Sequence, residues 1–313
     1  MERWKIVITD GLNGDGQAIL RPAAHVDDCT DISADDLMKI IGEYDAMIVR
    51  GRTKVTAAVF NAGRKLRVVG RAGVGVDNID LVAAKAQNVR VVNAPQSTSL
   101  AVAELTLGHL LAVARAVPRG DYNMKKGLWI KKQLEGVELF GKTLGIIGIG
   151  NIGSAVAQRA AAFGMYVLAY DIFKSAEEVA LRNARMVPLD ELYSTSDYVS
   201  LHVPLTDKTR GMIDAEAIAK MKPGVRIIST ARGGVINETA LLDALNSGHV
   251  AAAGLDVFAQ EPPGLTDLVT HPNVVATPHI GAQTEEAQGR ASVDIAREVL
   301  AALRGDTLRW KVA

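Results

Sequence analysis

The stretch from Lys142 to Asp171, KTLGIIGIGNIGSAVAQRAAAFGMYVLAYD, decides the fold of this chain. It contains a short apolar strand, a glycine turn that fits G-x-G-x-x-G, a helix of small residues, and a second strand that ends on Asp171. The three glycines allow a tight turn, a close approach of the backbone to a pyrophosphate, and close packing of helix against strand. The pattern therefore predicts a dinucleotide-binding βαβ unit.

The same stretch carries groups that suit the two ends of a dinucleotide. The N-terminus of the helix offers N–H groups and the positive end of its dipole to phosphates. The carboxylate of Asp171 can accept hydrogen bonds from both ribose hydroxyls and would repel a 2′-phosphate. The acid favours NAD over NADP, although Lys174 lies close downstream. A lone glycine motif is a weak signal, but here every part of the unit occurs in order.

Length and composition narrow the class of protein. The chain has 313 residues, enough for two domains, and 48% of them are hydrophobic, enough for a sizeable core. Lys plus Arg and Asp plus Glu both number 35, so the net charge is zero. Because nucleic acids and membrane surfaces select an excess of basic residues, we expect neither as a partner. The single cysteine, Cys29, excludes an internal disulfide and is typical of a reducing compartment.

Targeting and metal signals are not found in the sequence. The N-terminal MERWKIVITD has no apolar signal-peptide core, and no run reaches the roughly 18 apolar residues of a membrane span. The most apolar helical stretch is interrupted by Glu104, His109 and Arg115. We therefore expect a cytoplasmic protein. No set of His, Cys, Asp and Glu residues has metal-ligand spacing, so we expect no metal.

Short β-branched runs alternate with helical segments along the chain, which predicts two doubly wound α/β domains with parallel sheets. The predicted strands are 5–9, 46–49, 66–70, 89–92, 143–147, 165–170, 198–203, 225–230, 251–257 and 274–277. Helices are predicted at 34–42, 56–63, 78–87, 100–117, 215–221, 238–246 and 284–303. We expect the last helix to return to the first domain. Residues 98–284 would then be inserted between 1–97 and 285–313, with two crossings acting as a hinge.

The predicted helix after the first domain has an unusually apolar surface. Thr98 or Ser99 can cap this helix, and Val102 to Val117 form one continuous apolar surface. Such a helix is either deeply buried or part of a subunit interface. We interpret it as an interface and expect a homodimer or a dimer of dimers.

Three charged residues follow strands of the second predicted domain, at the sheet edge where doubly wound folds bind ligands. Arg232 follows VRIIST, Glu261 follows LDVF, and His279 follows NVVATP. A histidine exchanges protons near neutral pH, and a carboxylate on its other ring nitrogen would fix its tautomer. An arginine can hold a carboxylate with two hydrogen bonds. With a nicotinamide, this set suits oxidation of an alcohol beside a carboxylate.

Each of these residues also has an ordinary interpretation. A histidine after a proline is more often a loop residue than a catalyst. Arg232 can merely cap a strand end, and Glu261 can be a solvated acid. Spacing alone leaves these alternatives open.

Four further motifs accompany the glycine turn. They are RAGVGVDNID at 71–80, STARGGVIN at 229–237, GLDVFAQEP at 254–262 and TPHIGAQT at 277–284. Together with GIGNIG, and in this order over nearly the whole chain, they make the sequence resemble the D-2-hydroxyacid dehydrogenase family. Within the family, IVRGRTKVT and VGRAGVGVDNID are most similar to the phosphoglycerate dehydrogenase branch.

The resemblance implies a Rossmann NAD-binding domain inserted into a flavodoxin-like substrate-binding domain. It implies that His279 is the general acid/base, that Glu261 is its partner, and that Arg232 binds the substrate carboxylate and polarises the carbonyl. The cofactor contacts that it implies are Gly148, Gly150, Asn151, Ile152 and Gly153 at the pyrophosphate turn, Asp171 on the adenosine ribose, Val203, Thr230 and Ala231 along the nicotinamide half, Asp256 near the carboxamide, and His279, Gly281 and Ala282.

Substrate identity depends on cations, since a phosphorylated hydroxy acid has a dianionic end. The candidates are Arg50, Arg52, Arg71, Lys131 and Lys132. The resemblance implies that the backbone N–H groups near Val74 and Gly75 hold the carboxylate. We favour Arg50, which ends a predicted strand. Lys131 belongs to a basic stretch that in relatives reaches a neighbouring subunit's site. Ordinary surface charge is the stronger interpretation for Arg52 and Lys132.

Two departures from the family pattern bear on function. Asn151 stands where many relatives have arginine, so one pyrophosphate contact is expected to be weaker. The segment after Gly305 is short, so we expect no regulatory domain.

The sequence thus predicts NAD-dependent oxidation of 3-phosphoglycerate to 3-phosphooxypyruvate, at the entry to serine synthesis. A glyoxylate or hydroxypyruvate reductase of the same family is the first alternative. An NAD(H)-sensing corepressor or scaffold on the same fold is the second.

Overall fold

The structure is a computed structural model that describes residues 3–313; residues 1 and 2, which open the predicted segment 1–97, lie outside it. The chain divides into two compact units. Unit 1 contains the residues up to Ser99 together with Ala282–Ala313, and unit 2 is Leu100–Gly281. The predicted boundaries lie at 97/98 and 284/285, and the assignment of substrate binding to the first unit stays a prediction.

Strands and helices alternate through both units. The strands of the described residues are β1 Trp4–Ile8, β2 Ala24–Asp28, β3 Ala46–Val49, β4 Val68–Arg71, β5 Arg90–Asn93, β6 Thr143–Ile147, β7 Tyr166–Tyr170, β8 Arg185–Met186, β9 Tyr198–Leu201, β10 Val225–Ser229, β11 Val250–Leu255 and β12 Val274–Ala276. The α-helices are α1 Gly14–Leu20, α2 Ala34–Ile40, α3 Ala57–Ala62, α4 Leu81–Ala86, α5 Ser99–Arg115, α6 Val117–Lys125, α7 Asn151–Ala162, α8 Ala176–Ala180, α9 Leu189–Thr195, α10 Ala215–Ala219, α11 Glu238–Asn246, α12 Asp267–Thr270 and α13 Glu285–Arg304. Short 3₁₀ turns occupy Ile41–Glu43 and Lys131–Gln133.

Unit 1 is built on a five-stranded parallel sheet in the order β2-β1-β3-β4-β5. Its central strands are apolar throughout, as in AMIV at 46–49, because helices cover both faces of the sheet. One buried cluster joins Ile8 to Ile295 of α13, and the other joins Val7 to Phe60 of α3. This strand order is that of the flavodoxin-like fold.

Unit 2 is built on a seven-stranded parallel sheet in the order β12-β11-β10-β9-β6-β7-β8. The strand order reverses between β6 and β9, which is the order of a Rossmann fold with one added strand. Two buried clusters again cover the two faces of the sheet. The prediction of two doubly wound parallel sheets is therefore confirmed, and ligands of such sheets bind outside the carboxyl ends of the strands.

Two strands and five α-helices of the described residues are missing from the prediction, namely β2, β8, α1, α6, α8, α9 and α12. The sequence of β2, AHVDD, is mixed because the strand lies at the edge of its sheet, with partial burial. The two-residue strand β8 is too short to produce a pattern. Helix α1, GDGQAIL, contains two glycines that weaken its helical signal.

The long apolar helix packs one side into the core of unit 2 and leaves Leu100 and Leu111 exposed, and its predicted role in a subunit interface stays a prediction. Helix α5 places Ala103, Leu107 and Leu110 in the core of unit 2, together with Ile146 and Val156. Its apolar surface is therefore mostly internal, which was the other interpretation that the sequence allowed. Among residues 3–313, no single helix is long and apolar enough to span a membrane, although α5 and α6, bent by 68° at their junction, pass that test as a pair.

Candidate active site

The glycine turn between β6 and α7 has the geometry that its sequence predicts. Gly148 has a φ of +91°, and a Cβ there would lie 2.7 Å from the carbonyl oxygen of His202. A Cβ on Gly153 would lie 2.2 Å from the carbonyl oxygen of Gly148, so only glycine lets the helix approach the turn this closely. Gly150 has no atom within 4 Å of an added Cβ. The turn is thus closely packed against the rest of the protein at Gly148 and Gly153, and there is open space beside Gly150.

This turn and its helix fit a dinucleotide. The N-cap of α7 is Gly150, which supplies no side-chain hydrogen bond to the first N–H groups of a 12-residue helix. These N–H groups and the positive end of the helix dipole remain available to a pyrophosphate. Asn151 and Ile152, the first two residues of the helix, lie at this end.

The acid at the end of β7 is held beside the turn. Asp171 Oδ2 accepts a hydrogen bond from the backbone N–H of Ile149 at 2.9 Å, and Oδ1 accepts one from Phe173 at 2.8 Å. A carboxylate has about four acceptor sites, so two remain for ribose hydroxyls. Lys174, the nearby cation, is paired with Glu178 at 2.9 Å. Its charge is therefore largely neutralised by the protein itself.

Arg232, Glu261 and His279 come together at the carboxyl edge of the same sheet. His279 Nδ1 lies 2.7 Å from Glu261 Oε2, and the two side chains are 48% and 37% exposed. Gly233, beside Arg232, lets its loop pack on the next one, because a Cβ there would lie 1.7 Å from the carbonyl oxygen of Phe258. Arg232 also acts electrostatically on Glu261. The three side chains therefore form one cluster, as the strand-end argument predicts.

The electrostatics of this cluster keep Glu261 ionised. Its partial burial acts to raise its pKa, but the hydrogen bond to His279, a 3.1 Å hydrogen bond from the N–H of Phe258, and the charges of His279 and Arg232 outweigh burial. The pKa of Glu261 therefore lies below its ordinary value. An ionised Glu261 accepts from Nδ1–H of His279 and leaves Nε2 as the ring nitrogen that exchanges a proton.

The loop that carries His279 is fixed by a buried carboxylate. Asp256, 1% exposed, accepts from Thr277 Oγ1 at 2.6 Å and from the N–H groups of Ile280 and Gly281, both at 2.8 Å. His279 itself has a φ of +52°, which is uncommon outside glycine and is sustained by such surroundings. Asp256, expected near the carboxamide, thus has three donors from its own protein.

The other predicted cofactor residues of unit 2 lie close by along the sheet edge. Val203 follows β9, and its side chain lies 2.9 Å from the position of a Cβ on Gly148. Thr230 and Ala231 follow β10, and the carbonyl of Ala231 accepts a 2.7 Å hydrogen bond from Arg232 Nη1. Ala282 belongs to unit 1, where its carbonyl accepts from Gln288.

In unit 1, Arg50 ends β3 at a cavity of about 240 Å³ that is also lined by Gly11, Leu12, Asn13, Ala72 and Gln288. Burial lowers the pKa of Arg50, and the charge of Asp10 opposes that effect. Asp10 accepts from the N–H groups of Arg50 and Thr53 and fixes this loop. Arg50 Nη2 also lies 3.3 Å from Gln283 Oε1.

The remaining predicted cations have different surroundings. Arg52 pairs with Asp10 at 3.2 Å and donates to the carbonyls of Thr9 and Ile32. The guanidinium of Arg71 lies against Gly73, where an added Cβ would clash with it, and it donates to the carbonyl of Ala72. Arg52 is thus hydrogen-bonded within its own protein, whereas the sequence favoured ordinary surface charge for it. Lys131 and Lys132 begin an exposed 3₁₀ turn, in unit 2.

The backbone of 74–75 lies after β4. The carbonyl of Val74 accepts a 2.7 Å hydrogen bond from Asn93 Nδ2, which fixes the peptide that leads into Gly75. The N–H groups assigned to carboxylate binding are thus attached to a fixed segment at the carboxyl edge of the unit 1 sheet.

Comparison with known proteins decides the family. Residues 107–281 match the NAD-binding domain of D-isomer specific 2-hydroxyacid dehydrogenases. The chain is also 47% identical to a hydroxypyruvate reductase of Thermotoga maritima, over 96% of this chain and 98% of that protein. The chain belongs to the D-isomer specific 2-hydroxyacid dehydrogenase family. This 2-hydroxyacid dehydrogenase is NAD-dependent, as its matched domain and the fit of its glycine turn both indicate.

Other relatives of this 2-hydroxyacid dehydrogenase have a different name and length. It is 46% identical to a D-3-phosphoglycerate dehydrogenase of Methanocaldococcus jannaschii, over 96% of this chain but 58% of that protein. A Thermus thermophilus protein of known crystal structure superposes with a TM-score of 0.91 at 34% identity, covering 99% of this chain and all of the other. The family and fold are thus shown, and the relatives divide between two substrates.

Several residues of the 2-hydroxyacid dehydrogenase that shape the site are missing from the prediction. Asp10 fixes the Arg50 loop, and Glu238 Oε1 accepts from the N–H of Ala259 at 2.6 Å in the loop that carries Glu261. Thr106 and His109 of α5 contact two other site loops. The only sequence signal for the last two was polarity on an otherwise apolar helix, which also fits ordinary packing.

Proposed function

We propose that this chain oxidises D-3-phosphoglycerate to 3-phosphooxypyruvate with NAD, using His279 as the general base. The observation that carries the catalytic part is the 2.7 Å contact between His279 Nδ1 and Glu261 Oε2, within reach of the charge of Arg232. A histidine so oriented can transfer a proton through Nε2. Bound NAD supplies the acceptor for the hydride that leaves C2.

The three residues of the cluster have different roles in the proposed reaction. Nε2 of His279 takes the hydroxyl proton as the C2–H bond breaks, and the imidazolium that forms is stabilised by Glu261. In the reverse direction the same nitrogen returns the proton to the carbonyl oxygen. Arg232 binds the substrate carboxylate with two parallel hydrogen bonds and polarises the carbonyl, and the backbone N–H groups of Val74 and Gly75 add to this grip.

The preference for NAD over NADP follows from charge. Asp171 would lie against a 2′-phosphate, and the pairing of Lys174 with Glu178 withholds the nearest cation from it. The cofactor contacts that we propose are those implied by the family resemblance. Asp256 acts there mainly through the loop that it fixes.

For the phosphate we propose Arg50. Its backbone is fixed by Asp10, its guanidinium lines a cavity of about 240 Å³, and Asn13 and Gln288 add polar groups at the same wall. A charge-assisted hydrogen bond contributes roughly 1.5–3 kcal/mol. We assign Arg71 and Lys131 as further candidates for the anionic end of the substrate.

Hydroxypyruvate reduction is the second candidate, and a specific observation favours it. The hydroxypyruvate reductase relative is 47% identical to this chain, as similar as the phosphoglycerate dehydrogenases at 46% and 48%, of whose length the chain spans about half. The same catalytic residues would serve both substrates. The two candidates differ in whether Arg50 binds a phosphate.

We also infer a homodimer, through the exposed side of α5 and the segment that follows it. Large apolar side chains are exposed on the adjoining segment, namely Val117, Tyr122, Met124, Leu128, Trp129 and Phe140. Several exposed large apolar side chains within one short segment are consistent with a protein interface. The expected cytoplasmic location stays a prediction.

The experiment that tests the function is a panel of acids assayed by the change in NADH absorbance. The panel pairs 3-phosphoglycerate with D-glycerate, and 3-phosphooxypyruvate with hydroxypyruvate and glyoxylate. The proposal expects kcat/KM to be at least tenfold higher for each phosphorylated member. Preference for hydroxypyruvate would replace the first candidate by the second, and inactivity on every acid would refute both.

A further inference from the structure

Helix α5 makes side-chain hydrogen bonds to two of the three loops that carry the proposed catalytic residues of unit 2, those of Arg232 and His279. Thr106 Oγ1 lies 2.9 Å from Thr230 Oγ1, and His109 Nε2 lies 3.0 Å from Thr277 Oγ1. Thr230 is two residues before Arg232, and Thr277 is two residues before His279. Because Thr106 and His109 are three residues apart, they lie on the same face of the helix.

The first of these contacts has a defined direction. Thr106 Oγ1 donates its single proton to the carbonyl of Val102, four residues back, at 2.8 Å. It can therefore only accept from Thr230 Oγ1, which is itself buried. The chain of donors thus runs from Thr230 through Thr106 into the helix backbone, and it fixes the rotamer of the residue beside Ala231.

The second contact is also directional. Thr277 Oγ1 donates to Asp256 Oδ1 at 2.6 Å, so its oxygen must accept from Nε2–H of His109. Nδ1 of His109 then carries no proton, and it is buried without a hydrogen-bond partner. Burial lowers the pKa of His109 against the opposing charge of Asp256, which is consistent with a neutral ring.

The series of hydrogen bonds that begins at His109 ends on the residues that flank His279, the proposed general base. Asp256, which accepts from Thr277, also accepts from the N–H groups of Ile280 and Gly281. The residues on both sides of His279 are therefore connected to α5 through one carboxylate. This matters because the backbone of His279 is in the left-handed region, which a loop sustains only when its neighbours are fixed.

The surroundings do not explain these two polar residues as packing alone. Ala103, Leu107 and Leu110 of the same helix are core residues, and an apolar residue at 106 or 109 would pack among them without needing a partner. Both polar residues instead find their partners in site loops. The Cβ of His109 also lies 2.8 Å from the position that a Cβ on Gly254 would take, so β11 approaches this ring closely.

We propose that Thr106 and His109 are positioning residues, which hold the Arg232 loop and the His279 loop, respectively, against helix α5. The proposal rests on the proposed function for what those loops do. The restraint on the loops can be measured without any activity.

The first test replaces His109 by Leu, which removes the donor, and by Gln, whose amide restores one. His109→Leu should lower kcat about tenfold with NADH binding unchanged, and His109→Gln should recover most of the loss. In a His279→Gln background, which lacks the proton carrier, His109→Leu should change kcat by less than about twofold. An equal loss in both backgrounds would overturn a role through His279.

The second test replaces Thr106 by Val and by Ser. Thr106→Val should raise KM for the keto acid about tenfold with a small change in kcat, because Arg232 binds the carboxylate. Thr106→Ser should behave like the parent protein. A rise in KM that Ser shares, or an unchanged KM in Thr106→Val, would contradict the proposal.

Leu110→Ala is the matched control, since Leu110 belongs to the core of unit 2 and its side chain can make no hydrogen bond to either loop. Hydrogen exchange of peptides covering 276–283 should be faster in His109→Leu and unchanged in Leu110→Ala, apart from global unfolding. Equal exchange in His109→Leu and the parent would refute the restraint. If the parent shows no dehydrogenase activity but the exchange pattern holds, the proposed function fails and the restraint stands.

Discussion

The carboxyl edges of the two sheets use charged residues in contrasting ways. At the edge of unit 2, His279, Glu261 and Arg232 act on one another, and the ring keeps one nitrogen for exchange. At the edge of unit 1, Arg52 is committed to Asp10 and to backbone carbonyls, and Asp10 serves to fix a loop. The difference teaches that a strand-end group can transfer a proton when one of its atoms stays open to exchange, as Nε2 of His279 does, and supports the fold when its hydrogen bonds fix its own loop, as those of Asp10 do.

The largest effect is expected from His279 itself. His279→Ala removes the proton carrier and should lower kcat by roughly 10²–10⁴. Affinity for NADH, measured by fluorescence titration, should stay close to that of the parent. His249→Ala is a matched control, because His249 is bonded to the carbonyl of Ile218, away from the cluster. If His279→Ala retained turnover, His279 would not be the proton carrier, and the charged cluster of unit 2 would not be catalytic in the way proposed.

Replacement of Asp171, the acid of unit 2 that is proposed to bind the cofactor, should have the next largest effect. Asp171→Ala removes acceptors for the ribose and should raise Kd for NAD by about tenfold to a hundredfold, from hydrogen bonds of roughly 1.5–3 kcal/mol. NADP should lose far less, since a repulsion disappears. Adding Glu178→Gln releases Lys174 and should improve NADP binding further. Equal losses for both dinucleotides would contradict this account of cofactor choice.

In unit 1, Arg50 should affect selectivity more than rate. Arg50→Gln should lower kcat/KM for the phosphorylated substrate about tenfold to a hundredfold, and for D-glycerate by much less. Arg21→Gln, on the exposed end of α1, is the control and should change neither. Parallel losses on both substrates would assign Arg50 to the fold rather than to the phosphate.

The smallest effect on catalysis, with a clear effect on stability, is expected from Asp10. Burial acts to raise its pKa, but hydrogen bonds from Thr53 and Arg50 and the charge of Arg52 outweigh it and hold the pKa below 3.8. A lowered pKa means that its stabilisation is present above the unfolded-state value and is lost as pH falls through the folded-state value. Asp10→Asn should therefore cost about 1–3 kcal/mol at neutral pH.

Urea unfolding at several pH values checks this prediction. The difference in unfolding free energy between parent and Asp10→Asn should shrink as pH falls below about 4. A difference that is constant with pH would show that the carboxylate charge contributes nothing to the Arg50 loop.

The sequence predicts the fold and the main cluster because both depend on local patterns. Alternating apolar runs place the strands, and the carboxyl ends of parallel strands meet at one edge, so Arg232, Glu261 and His279 are found without coordinates. The hydrogen bonds of Arg52 to backbone carbonyls depend on which distant segments pack beside it, and the spacing of residues in the sequence does not encode this. The same is true of His109, whose partner lies 168 positions away. The burial of most of helix α5 could not be predicted either, because an internal helix and an interface helix share one apolar pattern.

The most direct test of the central claim is the rate of keto acid reduction when Glu261→Gln is made in the parent and in a His279→Ala background. Glu261→Gln removes the carboxylate that lies 2.7 Å from Nδ1 of His279, so kcat should fall about tenfold or more in the parent. The same substitution should change kcat by less than about twofold when His279 is absent. Equal losses in the two backgrounds, or no loss in the parent, would contradict the pairing of Glu261 with His279 as the proton-transfer unit.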